Sequence, residues 1–192
     1  MNEQIAPTVG RGEADFSHPH RFVVSGTYQL PQGQGWNQGL RAIAGGWNVS
    51  GIYSLESGNA LTAYNGVTDA RDFEPNMPNR IGDPNLPMGE RTFNRWFDTG
   101  AFTTPEQDVK GNAGPGIIRG PGMNNFDLSL AKTFVPTERW RIELRSDFLN
   151  ALNHTQWSSV DTTFNDSAGS TFGWITGARE GLVVQLGLRV SF

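Results

Sequence analysis

The sequence predicts an all-β fold. Polar and apolar residues alternate with a period of two along five segments, whereas the helical period is nearly absent. The chain of 192 residues is rich in turn-forming residues, with 24 Gly and 11 Pro, and in aromatic residues, with 12 Phe and 6 Trp. This composition suits strands joined by long loops better than packed helices.

Each of the five segments has one apolar row and one more polar row. Neighbouring side chains of a strand point to opposite faces of a sheet, so each row is expected to line one face. The segments are about ten residues long, which matches the roughly 9–11 residues of a tilted transmembrane strand. The apolar rows, in chain order, are Phe22, Val24, Gly26, Tyr28 and Leu30; Trp47, Val49, Gly51, Tyr53 and Leu55; Phe126, Leu128, Leu130, Lys132 and Phe134; Trp140, Ile142, Leu144 and Phe148; and Leu182, Val184, Leu186, Leu188, Val190 and Phe192.

The connections between these segments alternate in length. Residues 31–38 and 135–138 are predicted turns, whereas residues 57–121 and 153–180 are long segments without a sustained period. Bacterial outer-membrane barrels have short periplasmic turns and long extracellular loops. The pattern therefore predicts an antiparallel, up-and-down segment of a transmembrane β-barrel with long extracellular loops. The residue pattern alone leaves one alternative open, a soluble β-sandwich that acts as a binding module on the cell surface.

Two charged features bear on the barrel prediction. Lys132 interrupts an apolar row, and a lysine that faces the bilayer centre costs about 2–4 kcal/mol. Because the turn predicted at 135–138 is near, we expect Lys132 to snorkel to the interface. On the other face, an alternating-charge row is expected to point into a lumen, with a solvated strand face as the alternative; the row comprises Arg141, Glu143, Arg145 and Asp147.

The composition argues against several other functions. The net charge is −4 and the 15 Lys and Arg are scattered, which does not favour a nucleic-acid partner. The chain has no Cys, and its three histidines, His18, His20 and His154, do not have the spacing of metal ligands. Neither a Gly-x-Ser-x-Gly nor a His-Glu-x-x-His motif occurs. We therefore expect neither an enzyme nor a protein with a bound cofactor or metal.

Six stretches resemble one protein family in order and spacing. The chain is similar from about residue 15 onwards to the C-terminal end of TonB-dependent outer-membrane receptors of the Oar-like type, which carry a carboxypeptidase-regulatory-like domain. The matching stretches are "HRFVVSGTYQLP" (20–31), "GGWNVSGIYSLESGNALT" (45–62), "RWFDTGAF" (95–102), "RGPGMNNFDLSLAKTF" (119–134), "RIELRSDFLNALNH" (141–154) and "VQLGLRVSF" (184–192).

The resemblance implies that residues 1–192 form about the last five strands of a barrel of about 22 strands. The plug and the N-terminal domains of the family are absent, and we expect the chain to be part of a longer reading frame. The implied location is the outer membrane of a Gram-negative bacterium. The implied partners are outer-membrane lipid, the TonB complex through the missing N-terminal regions, and an imported nutrient, which is a siderophore, cobalamin, a glycan or a peptide. These strands alone are not expected to transport.

The resemblance also implies roles for particular residues. Gly187, Val190 and Phe192 match the terminal β-signal that the barrel-assembly machinery reads, although Leu186 stands where that signal usually has a polar residue. Asp147 and Leu149 replace the Glu and Phe that are usual in the family. Substrate contacts are expected in the two long loops, where aromatic residues can stack on a ligand or, alternatively, pack the loop. These residues are Trp96, Phe97, Phe102, Trp157 and Trp174.

Overall fold

The computed structural model describes residues 11–31, 33, 35–66, 76–106 and 109–192. It confirms the all-β fold, with one short helix, α1 (Gln38–Ala44), and two 3-10 turns, Met88–Glu90 and Thr99–Ala101. The strands of the described residues are β1 (Arg21–Gln29), β2 (Trp47–Glu56), β3 (Ala60–Leu61), β4 (Asn79–Arg80), β5 (Phe102–Thr103), β6 (Ile118–Arg119), β7 (Met123–Thr137), β8 (Trp140–Leu149), β9 (Trp157–Val160), β10 (Ile175–Ala178) and β11 (Val183–Ser191).

The chain divides into two compact units. The sheet unit comprises residues 21–56, 123–156 and 180–192, and the loop unit comprises residues 1–20, 57–122 and 157–179. The sheet unit therefore contains all five long strands, and the loop unit contains most of the two long connections that the sequence predicts.

The five long strands form one antiparallel sheet in the order β1-β2-β7-β8-β11. Each long strand pairs with the next long strand along the chain, as in an up-and-down barrel. The strands are 9 to 15 residues long, which is enough for a tilted strand to cross a bilayer. The predicted strands and their antiparallel, up-and-down order are thus confirmed.

The pairing collects the predicted apolar rows on one face of the sheet, here called the apolar face. Directly paired residues of an antiparallel sheet share a face, and Tyr53 lies opposite Phe126 while Leu144 lies opposite Leu188. Leu186 and Leu188 are 80% and 67% exposed. A soluble sandwich covers such side chains with a second sheet. The apolar face is instead open along β11.

The two ends of the sheet carry different connections. At one end, the loop end, β2 runs into the long connection 57–122 and β8 runs into the long connection 150–182. At the other end, the turn end, the strands are joined through residues 30–46 and residues 138–139. The predicted alternation of short and long connections is present, although both turn-end connections differ in detail from the prediction.

The turn predicted at 135–138 is wrong by a few residues. Strand β7 continues to Thr137, and the reversal falls at Glu138 and Arg139. Phe134 lies opposite Ile142 and Thr137 lies opposite Trp140, so β7 has one extra residue here. Pro136 has no N–H to give to the ladder, and such an interruption is where a strand accepts proline. The proline therefore marks a β-bulge and not the turn itself.

The turn predicted at 31–38 is also wrong, because this connection contains α1. The Asn37 side chain accepts a hydrogen bond from the backbone N–H of Leu40 at 2.8 Å and caps the helix start. The Gly45 N–H donates to the Arg41 carbonyl at 3.1 Å, and Gly46 has a φ of +71°, a left-handed conformation that glycine adopts at little cost. The signals for this helix were the capping asparagine and the Gly-Gly pair.

Lys132 does not reach solvent as the sequence led us to expect. Its side chain is 4% exposed, and its Nζ donates to the backbone carbonyl of Ile43 at 2.7 Å. The amine is instead satisfied inside the protein by the last turn of α1.

The loop unit has a hydrophobic core of its own. Three short antiparallel ladders, β3 with β6, β4 with β5, and β9 with β10, frame this core. In the first of these ladders, Ala60 and Leu61 pair with Arg119 and Ile118. The buried core residues are Ala63, Phe97, Ala101, Phe102, Ala113, Ile118, Val160, Phe164, Phe172 and Ile175. The described parts of the long connections are therefore folded and are not plain linkers.

Candidate functional site

Four phenylalanines form the centre of the loop unit. Phe97, Phe102, Phe164 and Phe172 meet edge to face, and Phe172 lies 5.0 to 5.5 Å from each of the other three ring centroids. Phe97 is 1% exposed and Phe102 is 6% exposed. These two candidate ligand contacts are thus interior residues. They pack the loop, which was the alternative role expected for the loop aromatics. Phe172, which the sequence reasoning did not single out, contacts all three partners.

The accessible aromatic side chains of the loop unit lie elsewhere. Trp157 is half-buried and contacts Phe93 at 5.6 Å between ring centroids. Phe93 is exposed, and its backbone carbonyl accepts a hydrogen bond from the N–H of Ile175 at 2.9 Å, next to the exposed Trp174. Phe93 and Trp157 therefore form one aromatic pair, and the exposed Trp174 precedes the residue whose N–H donates to Phe93. Sequence reasoning missed Phe93, which lies three residues before Trp96 in "FNRWFDTGAF".

Trp96 is held by polar contacts at the edge of the core. Its indole Nε1 donates to the backbone carbonyl of Arg119 at 2.9 Å, and the guanidinium of Arg91 stacks over its ring at 5.2 Å. The Arg91 Nε in turn donates to the carbonyl of Leu86 at 2.9 Å. Partial burial lowers the pKa of Arg91. The contacts fix the orientation of this tryptophan, so it contributes to the loop unit as a structural anchor.

The segment 11–20 is fastened to the loop unit through acidic residues. Glu13 forms an ion pair with Arg119 and accepts a hydrogen bond from Ser17 at 2.7 Å. The hydrogen bond from Arg119 lowers the pKa of the Glu13 carboxyl below its ordinary value, and Ser17 adds to this effect. Thr62 donates to the Asp15 carboxylate at 2.8 Å. The loop unit thus includes residues that precede the first long strand.

The predicted charged row lies on the face of the sheet opposite the apolar face, here called the polar face. Arg145 Nε donates to both carboxylate oxygens of Asp147, at 3.0 and 2.8 Å. Ser129 on β7 donates to the same carboxylate at 2.5 Å. Glu143 lies directly opposite Arg189, with opposite charges. Arg145 and Asp147 thus pair along β8, Ser129 joins them from β7, and Glu143 faces a residue of opposite charge on β11.

A groove of about 480 Å³ runs along the polar face. It crosses the paired strands β2, β7, β8 and β11, and eight of its twelve lining residues are polar or charged. The charged residues Arg145 and Asp147 lie within it. Its polar and charged lining residues are Asn48, Ser50, Asp127, Ser129, Glu143, Arg145, Asp147 and Gln185.

Gly187 and Val190 of the predicted assembly signal lie on the edge strand β11, and Phe192 follows the last residue of that strand. Gly187 lies opposite Arg145 and Val190 lies opposite Ile142. Phe192 is 91% exposed, and its ring is 5.5 Å from that of Trp140 at the turn end. Within the described residues β11 pairs on one side only, so a strand from elsewhere can add to it. Recognition by the assembly machinery stays a prediction.

In the part of the chain that the structure describes, no group of three or more His, Cys, Asp or Glu side chains could hold a metal ion. None of the helices in this described part is long and apolar enough to cross a membrane.

A sheet of long antiparallel strands with one open apolar face and one charged face defines a class of protein, the membrane-embedded β-barrels. The comparison with known families specifies the class further. The outer membrane beta barrel domain family matches residues 1–185, and the chain belongs to this family. Its location is accordingly the outer membrane of a Gram-negative bacterium. No significant match was found among curated proteins or solved structures.

Family membership decides between the two folds that the residue pattern left open. The chain is a segment of an outer-membrane barrel and not a soluble sandwich. The matching family is the outer-membrane barrel domain in general, so the TonB-dependent, Oar-like type and the count of about 22 strands stay predictions.

Proposed function

We propose that this chain supplies the C-terminal barrel strands of a TonB-dependent outer-membrane receptor that imports a nutrient. The residue resemblance from 20 to 192 supports this type within the barrel family. The observation that carries the proposal is the folded loop unit. A barrel that serves only as an anchor or a simple pore has no need of a core with four interlocked phenylalanines in its loops, whereas a receptor needs loops that hold a ligand-binding surface in place.

The proposed ligand surface is formed by Phe93, Trp157 and Trp174. Rigid aromatic rings at an exposed position bind apolar rings and sugar faces with little loss of side-chain entropy. Phe97 and Phe102 support this surface from the interior instead of touching the ligand. The family resemblance suggests a siderophore, cobalamin, a glycan or a peptide as the nutrient.

The polar face is proposed to line the barrel lumen. Arg141, Glu143, Arg145 and Asp147 then face water, neighbouring strands or a plug domain. Charged side chains are tolerated on this face because the lumen of a barrel is polar. The five strands do not transport by themselves, because they fall short of the roughly eight strands of the smallest closed barrels.

Uptake measurements in the bacterium that carries the gene test the import proposal. Uptake of a ferric siderophore, cobalamin, oligosaccharides and peptides is compared among the parent strain, a strain lacking the receptor and a strain lacking TonB. We expect one nutrient class to lose uptake to the same extent in both mutants. If removal of the receptor affects no nutrient, or if the affected uptake continues without TonB, the proposal is wrong.

A double substitution tests the ligand surface separately. Trp157→Ala combined with Trp174→Ala is expected to lower nutrient affinity at least tenfold, as loss of about 1.4 kcal/mol implies. Trp140→Ala, at the turn end, is the matched control and should leave affinity unchanged. Full uptake by the double variant, at a normal level of receptor in the membrane, would remove these tryptophans from the ligand surface.

A further inference from the structure

Lys132 and Trp47 together bind one backbone carbonyl of α1. The Lys132 Nζ donates to the Ile43 oxygen at 2.7 Å, and the Trp47 Nε1 donates to the same oxygen at 2.9 Å. A carbonyl has two lone pairs, so it accepts both bonds. The lysine also lies over the rings of Trp47 and Phe134, at 5.2 and 5.1 Å. The last turn of the helix is therefore tied to the sheet at this point.

These contacts fix the side of the sheet on which α1 ends. Trp47 and Lys132 are directly paired in the sheet, so their side chains are on the same face, and that is the apolar face. The oxygen that they share must lie over this face. The helix therefore ends on the side that faces lipid in an outer-membrane barrel, and not on the side of the polar groove.

The helix presents apolar side chains that nothing in the described residues covers. Ile43 is 74% exposed and Leu40 is 50% exposed. Residues three apart lie on one side of a helix, whereas Ala42 lies near the opposite side. Trp36, just before the helix, is 45% exposed. Helices that lie in a membrane interface have this arrangement of an apolar side and flanking tryptophan.

We propose that α1 lies in the lipid headgroup region at the turn end of the barrel, with Leu40 and Ile43 in contact with the acyl chains. The occupant of this surface is the phospholipid leaflet, which is the periplasmic leaflet in the predicted orientation. Continuity with the apolar face of the sheet supports lipid as the occupant. Lys132 is the positioning residue that holds the helix there. The proposal depends on membership of the barrel family and not on the import of a nutrient.

Spin labels attached to single cysteines test this placement. The intact outer-membrane protein that contains this chain is labelled at Ile43→Cys or at Ala42→Cys and reconstituted into phospholipid vesicles. The 192 residues contain no native Cys, and the unsubstituted protein gives the background from any other part of the protein. Collisions of the label with oxygen, which partitions into lipid, are compared with collisions with a water-soluble nickel chelate.

We expect the label at position 43 to collide with oxygen and to be protected several-fold from nickel relative to the label at position 42. High nickel access at both positions would mean that the helix lies in water, and it would overturn the proposal. Low access of both reagents at position 43 would mean that protein covers it, and would overturn the proposal as well.

A second variant tests the role of Lys132. Lys132→Met removes both the charge and the hydrogen bond, and Leu130→Met, on the same row of β7, is the matched control. In the Lys132→Met protein the label at position 43 should become more mobile and several-fold more accessible to nickel. An unchanged spectrum in Lys132→Met would show that Lys132 does not position the helix. Outer-membrane levels, measured by immunoblot, confirm that each variant has assembled.

Discussion

Asn150 illustrates how one residue ends a long strand and directs the chain into the next connection. Its φ is +50°, a left-handed value that asparagine tolerates better than most residues. The side chain is buried and donates to the carbonyls of His154 and Glu180, at 3.0 and 3.3 Å. Its own N–H donates to the Asp127 carboxylate at 2.9 Å. The residue thus joins the end of β8 to the start of β11.

Replacement of Asn150 should destabilise this corner. In Asn150→Ala, two side-chain hydrogen bonds are lost, at about 0.5–1.5 kcal/mol each, and alanine also disfavours the left-handed backbone. Asn150→Gly keeps the backbone conformation and loses only the side-chain bonds, so it should be the milder variant. The stability of both variants is measured as the temperature at which the intact barrel unfolds, which is read from its mobility on SDS gels. Equal stability of all three proteins would contradict this assignment.

Because of the Glu13–Arg119 pair, the attachment of residues 11–20 to the rest of the loop unit should depend on pH. Because the hydrogen bond from Arg119 lowers the pKa of Glu13, the ionised form is favoured in the folded loop unit. The stabilisation that this pair gives to the folded loop unit is therefore present above the ordinary glutamate pKa. It is lost as the pH falls through the lowered pKa of Glu13.

A spin label at Ala14→Cys measures this fastening. We expect the label to gain mobility as the pH falls below the ordinary glutamate range. In a Glu13→Gln background, the mobility should be high at every pH and should not change. A label whose mobility is independent of pH in the parent protein would show that the pair does not hold the segment.

At the scale of the elements, period-two patterning was enough to predict the sheet. The rows of five strands fall on the expected faces because a one-residue slip would move every apolar side chain of a strand to the polar face. The rows did not reveal α1, because a helix of seven residues is too short to show a helical period. The hydrophobic core of the loop unit could not be predicted from the sequence either. Phe97 and Phe172 are 75 positions apart, and no local pattern brings them together.

The two faces of β11 should respond oppositely to charge. Leu186→Arg places a cation on the apolar face near the middle of the strand, where it costs about 2–4 kcal/mol. Gln185→Arg places the same side chain on the polar face and should be close to neutral. The amount of folded barrel in isolated outer membranes distinguishes the two variants. Equal losses, or a greater loss for Gln185→Arg, would contradict the assignment of the faces.

The phenylalanine core should be required for order in the loops but not for the barrel. Phe172→Ala removes a ring that contacts three others, at a cost of about 3–5 kcal/mol to the loop unit. We expect rapid cleavage of the loops by external protease, with a normal amount of barrel in the membrane. Phe93→Ala, at an exposed ring, is the control and should leave cleavage slow. Protection of the loops in Phe172→Ala would contradict this role of the core.

At the scale of the whole molecule, the sheet requires partners. Within the described residues β1 and β11 are each paired along one side only. An open edge in lipid leaves backbone groups unsatisfied, at several kcal/mol for each. We therefore predict that residues 1–192, produced alone, aggregate or remain unfolded in detergent. A monodisperse, folded monomer on size-exclusion chromatography would refute this prediction.

Strand length, alternation and the spacing of the loops predicted the barrel but left the soluble sandwich open, and the family match decided between them. The proposed import function does not follow from these features, because a fold does not determine the ligand. Candidate ligand residues could be proposed from their aromatic character, but only the structure separates the buried Phe97 and Phe102 from the accessible Trp174. In the proposed receptor the choice of nutrient depends on the loop surface, and that surface is assembled from residues far apart in the sequence.

The β-bulge at Pro136 has a consequence for how sequences of this kind can vary in length. Within the paired parts of the strands, insertion or deletion of one residue moves the side chains that follow from the lipid face to the lumen face, or the reverse. Tolerated insertions and deletions there should therefore come in pairs of residues. Between Phe134 and Thr137 the ladder already accommodates one unmatched residue. Homologues of this protein should therefore differ by single-residue insertions or deletions at this hairpin and in the loops. The middle of each strand should be constant in length.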